Sequence, residues 1–596
     1  INLTMRHMMK RGNVNIYLPI YINSHTNNKF MKKRRRNWNR LNTGESSRLT
    51  KRANKRLSSK KIVPVEYFAN KNNQKTVMEI LAVLDDAKYT IIDVLCTIAE
   101  NLFDGVGILH NANVQSVLAE YPYTRIESIF KSKMPTDERD LLGIVYQSSM
   151  MEGTKNQNGS YYTPHKITSA MVAALTFDKG QTFIDPCCGS GAFLLSVSCD
   201  NPKQLYGIDS DPIAAMITKF NLLLHYPHED FIPNVICGNF LLENPYSKHS
   251  FDYIVTNPPW GAFVGNTGDI AEITSQETFS LFFVKSYQQL KENGIVRFLL
   301  PEAILNVKVH KDIRTFILNN CCLNSITVYD SYFSGVVTGF IDIECQKKAK
   351  SKAVRINKDG SAFDVDISVF SENENNVFCF LNTMDTEIVN LCKTAGKYNL
   401  EGSIWALGVV TGDNKGKLKS SPAPELEAIY TGKEIIPYGL KSPNNYILYD
   451  RKTFQQVAKE EYYRAPEKLV YKFISNKLVF AYDDKQRLFL NSANILIPKI
   501  PGMNIKTVMA LLNSDLFSFL YQKMFGEVKI LKGNLLQLPF PEISTEQDSR
   551  ISALVDSIIS GCADDVELLQ SEIYSLFNLS NEQIKHIKTC TGSACS

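Results

Sequence analysis

Apolar positions recur along the chain with two different periods, and the change between them indicates where domains begin. Helical spacing runs through Val77–Leu102 and Glu127–Met150, which predicts a helical N-terminal domain over 62–153. From 154 to 350 short apolar runs alternate with helix-like stretches, a pattern typical of an α/β domain with a mostly parallel, doubly wound sheet. The six predicted strands are Thr182–Ile184, Gln204–Ile208, Asn234–Cys237, Tyr253–Thr256, Gly294–Leu300 and Ser325–Tyr329.

Beyond 350 this alternation stops, and the pattern predicts a second kind of domain. Residues 351–403 are interpreted as a connector. Residues 404–545 mix short apolar runs, Pro and Gly turns and aromatic residues, which indicates an α+β domain. Helical spacing returns over Arg550–Ile587, within a C-terminal segment of helices and tail at 546–596.

Composition indicates a globular protein of several domains. Of the 596 residues, 44% are hydrophobic and 21% charged, and no run of about eighteen apolar residues is present to cross a membrane. No apolar segment follows the basic N-terminus, so a secretory signal is not expected. The 13 cysteines form no paired Cys-x-x-Cys knuckle, which predicts a reducing cytoplasmic setting and no metal site. Cys590 and Cys595 are spaced closely enough for a redox or metal pair, but the favoured interpretation is that both lie in a disordered tail.

Positive charge is concentrated at the start of the chain. Residues 1–61 hold 17 Lys and Arg against one acid, Glu45, although the net charge of the whole chain is only +5. This segment is interpreted as an unstructured basic leader. The alternative is an arm that contacts nucleic-acid phosphates, centred on the run Lys32–Arg36.

A glycine-rich turn after the first predicted strand is the first candidate binding site. In Asp185-Pro186-Cys187-Cys188-Gly189-Ser190-Gly191 the two glycines let the backbone approach a ligand with no Cβ in the way. The third glycine of a dinucleotide fingerprint and the Gly-Lys-Ser/Thr of a P-loop are both missing. The second strand ends at Asp209, where a carboxylate can accept hydrogen bonds from ribose hydroxyls. Together they predict a nucleoside-type cofactor.

The order of these motifs resembles the gamma-class DNA amino-methyltransferases, of which the TaqI methylase is the example. Gly159-Ser160-Tyr161-Tyr162-Thr163-Pro164 resembles the family's cofactor-capping motif, and Leu141–Tyr146 its lead-in. The resemblance implies a Rossmann-like methyltransferase sheet and S-adenosylmethionine as the cofactor. It implies that Tyr162, Thr163 and Pro164 contact the methionine end of the cofactor. It also implies that Asp185, beside Pro186, contacts the amino group and that Asp209 contacts the ribose.

The third strand departs from the family pattern. Asn239 stands in Cys237-Gly238-Asn239-Phe240 where the family usually has aspartate to accept a hydrogen bond from the cofactor adenine. An Asn oxygen still accepts such a bond, without the charge. By the same resemblance, the ring of Phe240 packs on that adenine.

The fourth strand runs into the most informative motif, Asn257-Pro258-Pro259-Trp260. An exocyclic amine is a poor nucleophile because its lone pair is delocalised into the ring. Two acceptors, the Asn257 side-chain oxygen and the Pro258 carbonyl, would draw the nitrogen toward tetrahedral geometry and direct its lone pair at a sulfonium methyl. Pro258 and Pro259 stiffen the turn. The motif predicts methylation of adenine N6.

Two aromatic residues are candidates for holding the target base. Trp260 offers a ring face to a base that has left the duplex, as chemistry at a base requires. Phe333, in Tyr332-Phe333-Ser334-Gly335, matches a family block that supplies a second aromatic wall. Its other interpretation is a buried strand aromatic.

Residues 404–540 resemble the TaqI-like specificity domain, so 404–545 is predicted to be the target-recognition domain. The matching stretches include Val409–Lys415, Tyr430–Ile435 and Leu538–Pro541. Basic and aromatic residues interleave there, which suits a surface that contacts DNA, although they also fit a solvated face over core aromatics. The predicted partners are double-stranded DNA and a cognate restriction endonuclease.

Three other functions remain open on the sequence. The first is methylation of RNA or of protein glutamine, which uses the same Asn-Pro-Pro-aromatic motif in enzymes that are usually more compact. The second is a fused restriction endonuclease and methyltransferase, for which Asp86-Ala87-Lys88 with Glu66 supplies a loose acid-x-Lys pattern. The third is a non-catalytic DNA-binding subunit, against which the intact Asn257–Trp260 motif argues.

Overall fold

The computed structural model describes residues 68–85, 88–150, 163–261, 270–329, 339–348, 350, 352–372, 374–526 and 528–592. Apart from positions 149 and 150, these residues belong to one unit formed by Val63–Ser148 and Gly159–Ser596. The basic leader, Tyr162, Phe333, Glu66, Asp86 and Cys595 lie outside the described residues. In the part of the chain that is described, no helix is both long enough and apolar enough to span a bilayer.

The N-terminal segment is helical, as predicted, but each long predicted helix is divided. Thr90 has extended backbone angles (φ −89°, ψ 164°) and forms a capping box with Asp93, so a new helix begins there. Eight consecutive residues of that helix, Asp93–Glu100, are buried, and Cys96 Sγ lies 3.9 Å from Met216 Sδ on the helix Pro212–His225. The helices are α1 (Asn73–Ala82), α2 (Ile91–Gly105), α3 (Ala112–Ala119), α4 (Glu127–Phe130) and α5 (Leu141–Ser149).

A nine-stranded sheet forms the centre of the protein, in the order β3-β2-β1-β4-β5-β7-β6-β8-β9. The first five strands in this order pair in parallel, and β7 is antiparallel to both of its neighbours. All six predicted strands are present. The strands are β1 (Phe183–Asp185), β2 (Leu205–Asp209), β3 (Asn234–Cys237), β4 (Phe251–Thr256), β5 (Leu290–Pro301), β6 (Cys322–Tyr329), β7 (Phe340–Gln346), β8 (Ala353–Lys358) and β9 (Ser361–Asp366).

The last two strands correct the boundary predicted at residue 350. They fall in the predicted connector, yet β8 pairs in parallel with β6 and β9 is its antiparallel neighbour. Val354, Ile356 and Val365 are buried in the same core as the central strands. The sheet therefore continues to Asp366, because this hairpin needs that core to bury its apolar face.

Four helices connect or flank the strands of this sheet, and a buried arginine links two strands to one of these helices. The helices are α6 (His165–Ala173), α7 (Pro212–His225), α8 (Thr278–Gln288) and α9 (Lys311–Asn320). Arg297 on β5 pairs with Asp342 on β7 and also donates to the carbonyl of Met171 on α6, at 2.8 Å. Both charged side chains are almost fully buried, so each depends on the other for compensation.

The C-terminal part contains a small sheet and a helical layer. A four-stranded antiparallel sheet has the order β11-β19-β16-β17, and further short strands surround it. The strands are β10 (Gly396–Tyr398), β11 (Ile404–Leu407), β12 (Glu427–Tyr430), β13 (Ile435–Ile436), β14 (Gly439–Leu440), β15 (Asn445–Ile447), β16 (Lys468–Lys472), β17 (Phe480–Asp483), β18 (Leu488–Phe489), β19 (Ala493–Ile497) and β20 (Phe540–Pro541).

The helices of this part pack on one large apolar cluster that includes Leu512, Phe517 and Ile587. The predicted C-terminal helical segment is present as three helices. In chain order the helices are α10 (Ser368–Ser371), α11 (Thr383–Ala395), α12 (Asn414–Lys417), α13 (Glu460–Tyr463), α14 (Ile505–Asn513), α15 (Asp515–Phe525), α16 (Lys532–Leu535), α17 (Thr545–Ile559), α18 (Asp565–Leu576) and α19 (Asn581–Thr591).

Candidate active site

The glycine loop and the Asn-Pro-Pro turn lie at the same edge of the sheet. Both β2 and β4 pair in parallel with β1, so the three strands end together where the strand order reverses. In open α/β sheets ligands bind in the crevice at such a reversal. The polar residues at the ends of these strands are therefore candidates for one shared site.

Asp185, at the end of β1, is a buried carboxyl at this edge. It is 1% exposed, and its Oδ1 accepts hydrogen bonds from Thr256 Oγ1 at 2.6 Å and from Cys187 N at 3.0 Å. Burial raises the pKa of this carboxyl to about 7, against the lowering effect of those two bonds. The carboxyl thus links the glycine loop to the strand that leads into Asn257.

The two glycines adopt backbone angles that other residues avoid. Gly189 has φ 56° and Gly191 has φ 91°. A Cβ at Gly191 would lie 3.1 Å from Thr218 Cγ2, and Thr218 Oγ1 donates to the Gly189 carbonyl at 2.7 Å. Both the angles and the close approach of helix α7 therefore favour glycine in this loop.

Asp209, at the end of β2, holds the glycine loop from the other side. Its Oδ2 accepts from Gly189 N at 2.8 Å and its Oδ1 from Asp211 N at 2.9 Å. Burial raises the pKa of Asp209 to about 6. A carboxylate has about four acceptor sites, so these two bonds leave capacity for the predicted ribose hydroxyls.

Asp140 is a site residue that sequence reasoning missed. It is buried under the glycine loop, where Ser190 Oγ donates to its Oδ2 and Asn221 Nδ2 donates to its Oδ1 at 2.7 Å. Asn221 Nδ2 also donates to the Ser190 carbonyl at 2.9 Å, and Gly143 N donates to Asp140 at 2.9 Å. Burial raises the pKa of Asp140 to about 6. The one signal in the sequence was that Asp140 directly precedes the Leu141–Tyr146 lead-in motif.

Helix α5, which begins directly after Asp140, also contacts the loop after the second strand. Tyr146 Oη donates to Asp211 Oδ2 at 2.6 Å, and Asp211 N in turn donates to Asp209. Asp140, directly before helix α5, and Tyr146, within it, thus contact the two loops of the candidate cofactor site. Folding thus brings the lead-in motif next to the glycine loop, although the two motifs lie far apart in sequence.

Asn257 lies beside the predicted capping motif. Its Nδ2 donates to Thr163 Oγ1 at 3.1 Å, and Thr163 is 7% exposed. Pro164, also buried, caps helix α6. In the turn itself Pro258 is buried and Pro259 half-buried.

Trp260 is anchored at one edge of its ring. The indole Nε1 donates to the Leu299 carbonyl at 3.2 Å, and the ring is tilted against Phe340 at a centroid distance of 6.5 Å. The side chain is half-buried against the core of the sheet.

Two residues of the third strand's loop have structural contacts that the sequence did not indicate. Asn239 Oδ1 accepts from Leu241 N at 3.0 Å and from Leu242 N at 3.3 Å, so it caps the following turn. The Phe240 ring is 1% exposed and stacks on Phe282 at 5.5 Å. The Phe240 ring is thus packed in the protein core, and its contact with an adenine stays a prediction.

Several predicted site residues form one connected group, whereas Asn239 and Phe240 make separate contacts and Tyr162 and Phe333 lie outside the described residues. Asp185, Asp209, Gly189 and Gly191 share a hydrogen-bonded loop system, and Thr163 meets Asn257. Pro186 is buried directly after Asp185. The arrangement combines a glycine cradle, buried carboxyls and a rigid turn that carries an oriented amide.

Comparison with known families matches the two halves of the chain separately. Residues 137–354 match the model described as N-6 DNA Methylase, and residues 427–540 match the TaqI-like C-terminal specificity domain. The first match contains the glycine loop and the Asn-Pro-Pro turn. The second contains most of the small sheet in the C-terminal part.

Individual relatives agree with these matches. The Type II methyltransferase M.VspI of Vibrio sp. (strain 343) is 27% identical over 349 residues, which cover 54% of this chain and 83% of that protein. The Type I restriction enzyme EcoEI methylase subunit of Escherichia coli is 28% identical over 236 residues, 35% of this chain and 46% of that one. Among solved structures, the Type IIL restriction-modification enzyme MmeI in complex with DNA shares the fold, with a TM-score of 0.60, 14% identity and coverage of 87% of this chain and 98% of that one.

Proposed function

We infer how this chain, which belongs to the N6-adenine DNA methylases of restriction-modification systems and carries a TaqI-like specificity domain, carries out methyl transfer from S-adenosylmethionine to DNA. We propose roles for individual residues, extrusion of the target base and partners for the chain. Its main support is that the Asn257 turn and the glycine loop share one edge of the sheet and are joined through Asp185 and Thr256.

The residues present fit the cofactor that the family requires. Gly189 and Gly191 have positive φ, a Cβ at Gly191 would crowd Thr218, and two carboxyls end the flanking strands. We assign Asp185 to the cofactor's amino group and Asp209 to its ribose. When bound, the cofactor supplies a methyl group activated by a positively charged sulfur.

The chain's own contribution to the transfer is to orient the amine. The bond from Asn257 Nδ2 to Thr163 fixes the rotation of the amide and so distinguishes its oxygen from its nitrogen. That oxygen and the Pro258 carbonyl accept the two N6 hydrogens of adenine, which directs the nitrogen lone pair at the methyl carbon. As the new C–N bond forms, the C–S bond breaks and the amine loses one proton. The two acceptors stabilise the positive charge that develops on N6.

Adenine N6 is inaccessible inside a stacked duplex, so the target base must leave the helix. We assign Trp260 as the surface on which the extruded base stacks. Its Nε1 bond to Leu299 fixes the ring at one edge, which supports this role. Phe333 remains the predicted second wall.

Charge supports DNA contact by the specificity domain. Residues 404–540 hold 19 Lys and Arg against 12 Asp and Glu, whereas 62–403 hold 27 against 39. A cavity of about 600 Å³ in this domain is lined in part by Lys433 and Lys472. The turn under Lys433 is rigid, because the buried Glu434 carboxylate accepts from Thr431 and Asn444. We propose that this surface contacts the duplex.

A cognate restriction endonuclease is the further partner we propose, because the relatives are a Type II methyltransferase and the methylase subunit of a Type I restriction enzyme. The test is methyl transfer from labelled S-adenosylmethionine to duplex DNA, followed by base-resolution mapping of the product. We expect N6-methyladenine at one recognition sequence. Label on RNA or protein but not on DNA contradicts the proposal. Defined DNA fragments formed with magnesium would instead reveal a nuclease in the same chain.

A further inference from the structure

A second group of polar side chains lies far along the chain from the methyl-transfer residues. Asp385, on helix α11, is fully buried. Its Oδ2 accepts from Lys523 Nζ at 2.7 Å and from Asn382 N at 3.2 Å. Its other oxygen, Oδ1, lies 2.8 Å from His586 Nε2 on helix α19. Helices α11, α15 and α19 therefore meet at this carboxylate.

A thiol completes the group. Cys590 stands one helical turn after His586, so both side chains lie on one face of α19. Cys590 Sγ is 3.6 Å from the same Nε2 atom, and the three donor atoms all lie within 4.8 Å of one another. Cys590 is at the surface, which gives solutes access to the group.

The distances approach those of a tetrahedral metal site. With metal–ligand bonds of about 2.0–2.3 Å, neighbouring ligand atoms lie about 3–4 Å apart. A set of one imidazole nitrogen, one thiolate sulfur and one carboxylate oxygen suits zinc, which accepts all three. The bonds from Lys523 and Asn382 to the other carboxylate oxygen fix its orientation, as the partners of a ligating carboxylate do.

We propose that Asp385 Oδ1, His586 Nε2 and Cys590 Sγ bind one zinc ion, which clamps the C-terminal helix α19 to helix α11. Binding replaces the thiol proton, which is released to solvent, by a bond from sulfur to the metal. Water takes the fourth position. The expectation of no metal site rested on the absence of paired cysteines, and a His-x-x-x-Cys helix with an aspartate 201 residues away has no such spacing. Cys590, expected in a disordered tail, lies on helix α19.

A plain hydrogen bond between His586 and Asp385 is the competing explanation, and it makes no use of the thiol. The variant Cys590→Ser separates the two, because it keeps the His586–Asp385 contact and removes the sulfur ligand. Cys562→Ser is the matched control, since Cys562 is also exposed but is not part of the group. Both variants should fold like the unmodified chain, as circular dichroism can verify.

The experiment titrates the full chain, freed of metal with a chelator, first with Co²⁺ and then with Zn²⁺. We expect one equivalent of Co²⁺ to produce near-ultraviolet thiolate-to-cobalt absorption that Zn²⁺ removes. Zn²⁺ should also raise the Tm of the unmodified chain and of Cys562→Ser, but not of Cys590→Ser. Absence of this absorption, or its persistence in Cys590→Ser, overturns the proposal. Methyl transfer is not measured, so the outcome does not depend on the proposed function.

Discussion

Thr256 Oγ1 donates a 2.6 Å hydrogen bond to the buried Asp185 carboxyl, although 71 residues separate the two in sequence. Thr256 immediately precedes Asn257, and Asp185 begins the glycine loop. One bond thus joins the candidate cofactor site to the candidate catalytic turn. A methyl transfer needs this kind of fixed relation, because donor and acceptor must be held in line for the displacement.

Asn257→Ala should abolish methyl transfer while S-adenosylmethionine still binds. Removing one oriented acceptor from a preorganised site typically costs a factor of about 10²–10³ in kcat. Labelled transfer measures the rate, and calorimetry measures the Kd for the cofactor. Asn390→Ala, at an exposed position on helix α11, is the control and should leave both unchanged. Normal turnover by Asn257→Ala would remove this residue from the mechanism.

Asp185→Asn should stabilise the free protein at neutral pH and weaken cofactor binding. The pKa of Asp185 is about 7 in the folded chain and about 4 when unfolded, so folding takes up a proton. The contribution of this group to stability therefore falls as pH rises from about 4 to about 7. Urea denaturation should give a gain for Asp185→Asn that is larger at pH 7.5 than at pH 5, by about 1–3 kcal/mol. An equal gain at both pH values would contradict the assigned titration.

Asp140 should control the affinity of the glycine loop for the cofactor without touching it. Asp140→Asn and Ser190→Ala each remove part of one buried, charge-assisted bond, worth about 1.5–3 kcal/mol. We expect each to raise the Kd for S-adenosylmethionine about tenfold, with little change in kcat at saturating cofactor.

The double variant identifies the cause. If Asp140 acts through Ser190, the two effects on Kd should not add in Asp140→Asn/Ser190→Ala. Asp137→Asn, which alters an exposed carboxylate hydrogen-bonded to Asn70 and Asn73, is the control for charge. Fully additive effects would mean that Asp140 acts by another route.

Lys468→Met should destabilise the specificity domain. Lys468 and Asp483 form a fully buried ion pair, in which burial lowers the pKa of the lysine and the lysine counters the effect of burial on Asp483. Without Lys468, the buried Asp483 carboxylate is paired with Arg487 alone. Removing one partner of a buried ion pair lowers the free energy of unfolding by about 3–5 kcal/mol. Denaturant unfolding measures the loss. Lys485→Met, at an exposed position nearby, should change stability by less than about 0.5 kcal/mol.

Lys433→Ala should weaken DNA binding at every sequence rather than change the recognition site. A lysine that contacts phosphate adds about one unit to the slope of log affinity against log salt. Fluorescence anisotropy with cognate and non-cognate duplexes across a salt series should show a slope reduced by about one for both. Altered preference between duplexes with an unchanged slope would assign Lys433 to base recognition instead.

The sequence alone determined the α/β class, the six strands it predicted and the two catalytic-domain motifs, because short-range periodicity and turn chemistry are local properties. The Gly189–Gly191 loop and the Asn257–Trp260 turn each need particular residue types at adjacent positions. Their order along the chain was enough to identify the family.

Only the tertiary structure decided which distant residues meet. Asp140 and Thr256 entered the site because strand pairing and helix packing brought them to the glycine loop, and no local spacing encodes such contacts. The same packing stacked Phe240 on Phe282, and it joined β8 and β9 to the sheet, against the boundary expected at residue 350. Burial explains these outcomes, since an apolar ring or hairpin takes the neighbours that remove it from water, and these lie far away in sequence.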